Sequence, residues 1–218
     1  MATKKKTKRA AAKTALLVKP RLTRAQKLQR EIARRNRVFK AASAAKKRVL
    51  IAKDVIEQIN AGRYFPSPGT WVEPTYSDGR WLNIVNTFGE DASVRELFLS
   101  EKISMCDCCA LGGMFMSCTL YNNQTTAEQF EEEVGFGGNL PDLVPKRGKI
   151  SNGLNKFFDP KQLKLIEAAF EGNIGAFQFR ASALCEKLYA WSDRYPAAEE
   201  RMIAIMENIV TNKGVFKP

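Results

Sequence analysis

The chain has 218 residues, 44% of them hydrophobic and 27% charged, with 14 glycines, 9 prolines, 5 cysteines and no histidine. That composition excludes a collagenous, a disulfide-dense or a wholly disordered protein. Without histidine the chain lacks the usual general base near neutral pH and the commonest transition-metal ligand, so Ser-His-Asp and Cys-His machinery cannot be built within it. Lys and Arg number 35 against 23 Asp and Glu, a formal +12, and the excess sits at one end. Residues 1–50 hold 18 basic residues and one acid, Glu31, a net +17, whereas residues 51–218 carry −5. A basic block of that density points to a polyanionic partner.

Met1 to about Leu22 alternates Lys, Thr and Ala and has little apolar surface to bury, so it is expected to be disordered when unbound. Residues 23–47 change to good helix formers behind Thr23 as N-cap, with Leu28, Ile32 and Phe39 at spacings of four and seven. Arg35 and Lys46 fall on the same stripe, which argues for a basic, weakly amphipathic helix rather than a coiled-coil seam. These segments make a basic N-terminal arm, residues 1–47, ahead of a single mostly helical domain, residues 48–218. In that domain Val49, Leu50, Ile51, Ala52, Val55, Ile56 and Ile59 form a helical stripe closed by Gly62.

Residues 63–90 are rich in Pro, Gly and aromatics and read as loop, with Asp78-Gly79 between Tyr76 and Trp81 suited to a short hairpin. A helix is expected from Ser93, with Val94, Leu97 and Phe98 on one side and Glu90 and Asp91 near its positive end. Met105 to Leu120 has Asp107 as its only charge, is too short to span a membrane, and reads as one buried central helix. Thr125-Thr126-Ala127-Glu128 offers a capping box for a short acidic helix through Glu133, followed by a Gly- and Pro-rich loop to about Asn155. Asp159-Pro160 opens a helix bearing Leu163, Ile166, Ala169 and Phe170 that stops at Gly172. Two more helices carry Ala181, Leu184, Leu188 and Trp191, then Met202, Ile205, Met206, Ile209 and Val210 after Pro196. The expected fold is mainly α: a compact helical domain of about six helices with long loops and at most a short β-hairpin, preceded by the arm.

Phosphate binding is the chemistry this charge pattern supports best, because Lys and Arg displace condensed counterions. The candidate contacts are Lys4, Lys5, Lys6, Lys8, Arg9, Arg34, Arg35 and Arg37. With five to eight arm residues engaged, the salt slope on duplex DNA would be about −5 to −7. Phe39 is the arm's single aromatic, so little there reads base edges and the binding should be non-specific. Lys4 to Arg9 also fits a nuclear-import pattern, and the acid-free start a mitochondrial presequence.

Other constellations weigh less. Tyr64, Phe65, Trp71, Tyr76 and Trp81, interleaved with Arg63 and Arg80, could stack unpaired bases, but such residues more often pin an irregular segment to a core. Cys106, Cys108, Cys109 and Cys118, completed by Cys185, could hold zinc as thiolates, yet the spacing is neither finger nor ribbon, and cysteine as a small buried hydrophobe is the better account. Gly112-Gly113 beside them would allow close approach of another helix. A catalytic thiol is disfavoured because Asp107, the segment's one charge, would raise its pKa. Gly135-Phe136-Gly137-Gly138 and Gly148-Lys149 fail the dinucleotide and P-loop spacings. Glu131-Glu132-Glu133 diverge around a helix and read as a solvated face rather than a metal site. No catalytic residue, metal or cofactor is therefore assigned. Five cysteines, an odd number, and the lack of an export signal place the chain in a reducing cytoplasm.

Ile51-Ala52-Lys53-Asp54-Val55-Ile56, Cys106 through Phe115, and Arg201 through Val210 resemble pieces of uncharacterised bacteriophage and bacterial proteins, over residues 48–218 only. That resemblance implies a prokaryotic host cell or a virion and transfers no functional residue. It disfavours nuclear import and a mitochondrial presequence. The resulting expectation is a non-enzymatic, nucleic-acid-associated protein whose arm tethers a helical body to DNA or RNA, with no membrane partner. The alternative is a phage-encoded interaction module that binds and inhibits a host defence protein through loops 63–90 and 134–156.

Overall fold

In the computed structural model, which describes residues 22–76, 80, 82–122, 125–134, 154–172 and 182–218, the helix expected over residues 23–47 stops early and the body's first helix starts before the expected Arg48. Helix α1, Arg24–Ala41, opens on a capping box between Thr23 and Gln26. It ends because Ala42 turns extended and Ser43 caps a new helix, its hydroxyl accepting the Lys46 N–H. Helix α2, Ala44–Asn60, therefore takes residues 44–47 from the expected arm into the body.

The aromatic-rich segment is ordered by a small sheet. Strands β1 (Tyr64–Pro66) and β2 (Val72–Thr75) flank β3 (Met105–Cys108), giving the order β1-β3-β2. β1 runs parallel to β3, pairing Tyr64 with Cys106, and β2 runs antiparallel, pairing Val72 with Cys108. The single buried helix expected over Met105–Leu120 is thus a strand followed by helix α5, Ala110–Asn122. Its first residues alternate in burial, Cys106 and Cys108 fully buried and Met105 and Asp107 less so, which is the period of a strand. Beyond β2, Tyr76 N–H donates to Arg80 C=O and Leu82 N–H to Pro74 C=O, as a hairpin would require; Asp78-Gly79 lies outside the described residues.

Short helices α3 (Ile84–Phe88) and α4 (Val94–Leu99) follow β2, capped by Asn83 and Ser93. Helix α6, Ala127–Val134, has its capping box one residue later than expected, between Thr126 and Gln129. Helix α7, Pro160–Glu171, is capped by Asp159 and stopped by Gly172 in the left-handed conformation, as its sequence indicates. Helices α8 (Ser182–Arg194) and α9 (Ala198–Thr211) complete the chain. Nine helices among the described residues exceed the expected six or so because that number left out the arm's helix, here α1, and because α3 is too short to show clear periodicity.

Helix α5 is the centre. Every residue from Cys109 to Leu120 is buried, by α1 and α2 on one side and α7, α4 and the sheet on others. The largest helix pairing is α2 with α9, and α9 also packs on α7. One hydrophobic cluster joins Phe39 of α1 to Phe216 near the C-terminus. Arg48 of α2 ties the two ends together, donating to Gly214 C=O at 2.6 Å and Phe157 C=O at 2.9 Å. Among the described residues no helix is long and apolar enough to cross a membrane.

Candidate nucleic-acid interface

Successive residues of an α-helix are rotated by about 100°, and this decides what α1 shows to solvent. Leu28, Ile32, Arg35 and Phe39 fall within an arc of about 60°, and Ile32 and Phe39 are buried. Lys27, Arg30, Arg34, Arg37 and Lys40 fall within an arc of about 140° centred opposite to it, and all five are exposed. Among the described residues Lys27, Arg30, Arg37 and Lys40 have no ion-pair partner. Arg34 forms a two-pronged ion pair with Glu31 at 2.8 and 2.9 Å, and the Arg34 side chain stays 66% exposed. Such a surface pair is weak and can yield to a phosphate.

The buried side explains how this face is held. Phe39 stacks on Tyr121 of α5 at 4.9 Å and meets Phe157 edge-on at 5.3 Å. Arg35 turns inward: its guanidinium donates to the buried Asp54 of α2, donates to Glu31 as a second partner at 2.9 Å, and lies over the Tyr121 ring. Burial raises the Asp54 carboxyl, and the Arg35 guanidinium hydrogen-bonded to it opposes that shift. Arg95 of α4, itself fully buried, donates to Asn36 Oδ1 at 2.5 Å and to Ile32 C=O at 3.2 Å. Burial pulls its guanidinium down to about 10. Arg35 and Arg95 thus fix α1 to the body from below.

The expected phosphate contacts therefore divide. Arg34 and Arg37 lie on the exposed face, Arg35 is turned inward onto buried Asp54 and away from any phosphate, and Lys4, Lys5, Lys6, Lys8 and Arg9 lie outside the described residues. Lys27, Arg30 and Lys40 complete the face and were legible from the same helical periodicity, taken on its polar side. Tyr64 and Trp71 are buried and so pack the sheet against the core instead of offering a stacking platform, Phe65 is exposed, and Trp81 lies outside the described residues.

Cys106 and Cys108 lie on β3, Cys109 between β3 and α5 and Cys118 on α5, all four buried and outside any disulfide, with Cys185 half-buried. Burial raises the Cys106, Cys108, Cys109 and Cys118 thiols. Glu131 accepts the Val85 N–H at 2.8 Å, a structural bond between α6 and α3. A different group is metal-competent: Cys109 with Glu167 and Glu171 of α7. Glu167 is fully buried, and burial pushes its carboxyl up to about 8 against the opposing pull of the Cys109 thiol. Its sequence signal was a carboxylate on the apolar stripe of Leu163, Ile166 and Phe170. No protein-family model, curated protein or solved structure matches the chain.

Proposed function

We propose that the protein is a non-enzymatic nucleic-acid-associated protein that grips DNA or RNA phosphates, without reading sequence, through the basic face of α1 and the lysine-rich residues before it. The observation that supports this most is the opposition of five exposed cations on α1 to the stripe that docks the helix on the core. A docked helix presents its charges with little ordering cost on binding, and a row of Lys and Arg without aromatics contacts the backbone rather than the bases. The acidic body keeps the attraction confined to this end of the molecule.

The test is a salt series on the full chain, with a labelled duplex and a labelled single strand. Replacing Lys27, Arg30, Arg34, Arg37 and Lys40 together by Gln removes five charges while leaving Ile32, Arg35 and Phe39 in place. Each phosphate left without its neutralising cation reduces the slope of log K against log salt on a duplex by about 0.9, so a fall of about 4.5 is expected if all five are engaged. An unchanged slope, in a variant whose helical circular dichroism is also unchanged, overturns the proposal.

A further inference from the structure

The sheet and α7 meet at a group of anionic donors unconnected with the basic face. Cys109 sits between β3 and α5, where its thiol sulfur accepts the Gly112 N–H at 3.4 Å and its own N–H is held by Thr70 C=O at 2.5 Å. Glu167 and Glu171 are four residues apart on α7 and so share a face. One donor atom from each of the three lies within 4.8 Å of the others.

Glu167 is what points to a ligand. It is fully buried, and neither carboxylate oxygen has a hydrogen-bond partner among the described residues. A buried carboxyl group without a partner is costly, protonated or ionised, and is rare in native proteins. The Cys109 thiol and the Leu111 N–H lie close enough to ease it without meeting hydrogen-bond geometry, and the charge of Glu171, of the same sign, opposes them. Glu171 is half in place: Oε2 accepts the Gly69 N–H at 2.8 Å, while Oε1 is buried and unpartnered. The nearby cation, Arg201, eases Glu171 through space but forms an ion pair with neither acid; its three nitrogens donate to the carbonyls of Tyr195, Phe170 and Pro196. What the group lacks is a cation small enough to sit among three donors.

We propose that Cys109, Glu167 and Glu171 bind one zinc-class divalent ion. A thiolate beside two carboxylates suits a borderline-soft transition metal and not Mg²⁺ or Ca²⁺, which take all-oxygen shells. Zinc at about 2.3 Å from sulfur and about 2.0–2.2 Å from oxygen requires its donors to close to roughly 3.3–3.7 Å, a small contraction from the present spacing. Three protein donors leave a fourth position for water. The Gly69 and Gly112 N–H groups orient Glu171 and Cys109 from outside the donor set, as groups around metal ligands commonly do. Exposed Gly69 and half-buried Glu171 place the entry on the turn between β1 and β2.

The full chain, stripped with a chelator, is titrated with Zn²⁺ against a chromophoric competitor and with Co²⁺ in the near ultraviolet. One ion per chain is expected, with a thiolate-to-cobalt charge-transfer band that Cys109→Ser abolishes. Glu167→Gln and Glu171→Gln should each weaken zinc binding at least tenfold and cancel the rise in thermal midpoint that zinc gives the unaltered chain. Glu207→Gln, on the exposed face of α9, should change nothing. Circular dichroism in chelator establishes folding for each variant. If the buried Glu167→Gln or Cys109→Ser fails to fold, the half-buried Glu171→Gln decides. No zinc bound in competition, a cobalt band surviving Cys109→Ser, or equal binding in Glu171→Gln and the unaltered chain overturns the proposal.

Discussion

At Gly112 a side chain has no room at all: an added Cβ would collide with the Trp71 carbonyl oxygen and stand 2.9 Å from Val72 Cγ2. A close approach of another helix is expected at Gly112-Gly113; at Gly112 the partner is instead the backbone leading into β2, while Gly113 faces Cys108, Tyr64 and Met202 of α9 at ordinary contact distance. Gly112→Ala should cost about 3 kcal/mol or more in urea unfolding, since overpacking against backbone cannot be relieved by a rotamer change. Arg35 gives a second residue-scale expectation. Arg35→Ala strands the buried Asp54 carboxylate and should cost about 3–5 kcal/mol, whereas Arg35→Met with Asp54→Leu should recover most of it. Glu31 gives a pH dependence. The hydrogen-bonded Arg34, with Arg35, holds its carboxyl at about 2 against an ordinary 4.5. A carboxyl lowered in the folded state contributes stability that is present above pH 4.5 and lost as pH falls towards 2. Glu31→Gln should flatten the acid limb of a stability curve over that window, and added salt should reduce the difference because Glu31 is partly exposed.

The helices legible in the sequence were those whose stop and start signals are local. Asp159-Pro160 and Gly172 bracket α7, and Ser93 opens α4, because capping and left-handed stops depend on a few neighbouring residues. What local reading could not supply was pairing. Met105–Cys108 is apolar enough to pass for the first turn of α5, and only the arrival of Tyr64 and Val72 from distant positions makes it a strand. The donor group suffers likewise: Cys109 and Glu167 are far apart in sequence, and their juxtaposition requires α7 to pack on α5. Helix α1 shows the converse, a segment read as a free basic arm because its charges outnumber its two buried apolar residues. Docking makes a prediction that a free arm would not. Trypsin should cut slowly at Arg30, Arg34 and Arg37 in the unaltered chain and much faster in Phe39→Ala, which removes the ring stacked on Tyr121.

On the scale of the molecule, α1 and the C-terminus enter one core, and this constrains how the nucleic-acid proposal can be tested. Phe39 and Phe216 belong to a single hydrophobic cluster, and Arg48 links α2 to Gly214 across it. The net +17 of residues 1–50 is therefore shared between the exposed basic face of α1 and side chains that hold α1 to the body. A chain beginning at residue 43 would lose the Phe39 ring, at about 3–5 kcal/mol for such a deletion, and would leave Asp54 buried without Arg35 at about 3–5 kcal/mol more. Since neighbouring losses are not strictly additive, the combined effect is best set against a total stability of about 5–15 kcal/mol. It is a large fraction of that total. Such a truncation should show a broadened, low-midpoint unfolding transition by circular dichroism and lose affinity for nucleic acid for two reasons at once. The five-fold Gln variant of α1 should instead unfold within about 1 kcal/mol of the unaltered chain, because surface substitutions of this kind change stability little. A midpoint as low for the Gln variant as for the truncation would mean that the exposed cations, and not the stripe beneath them, hold α1 in place.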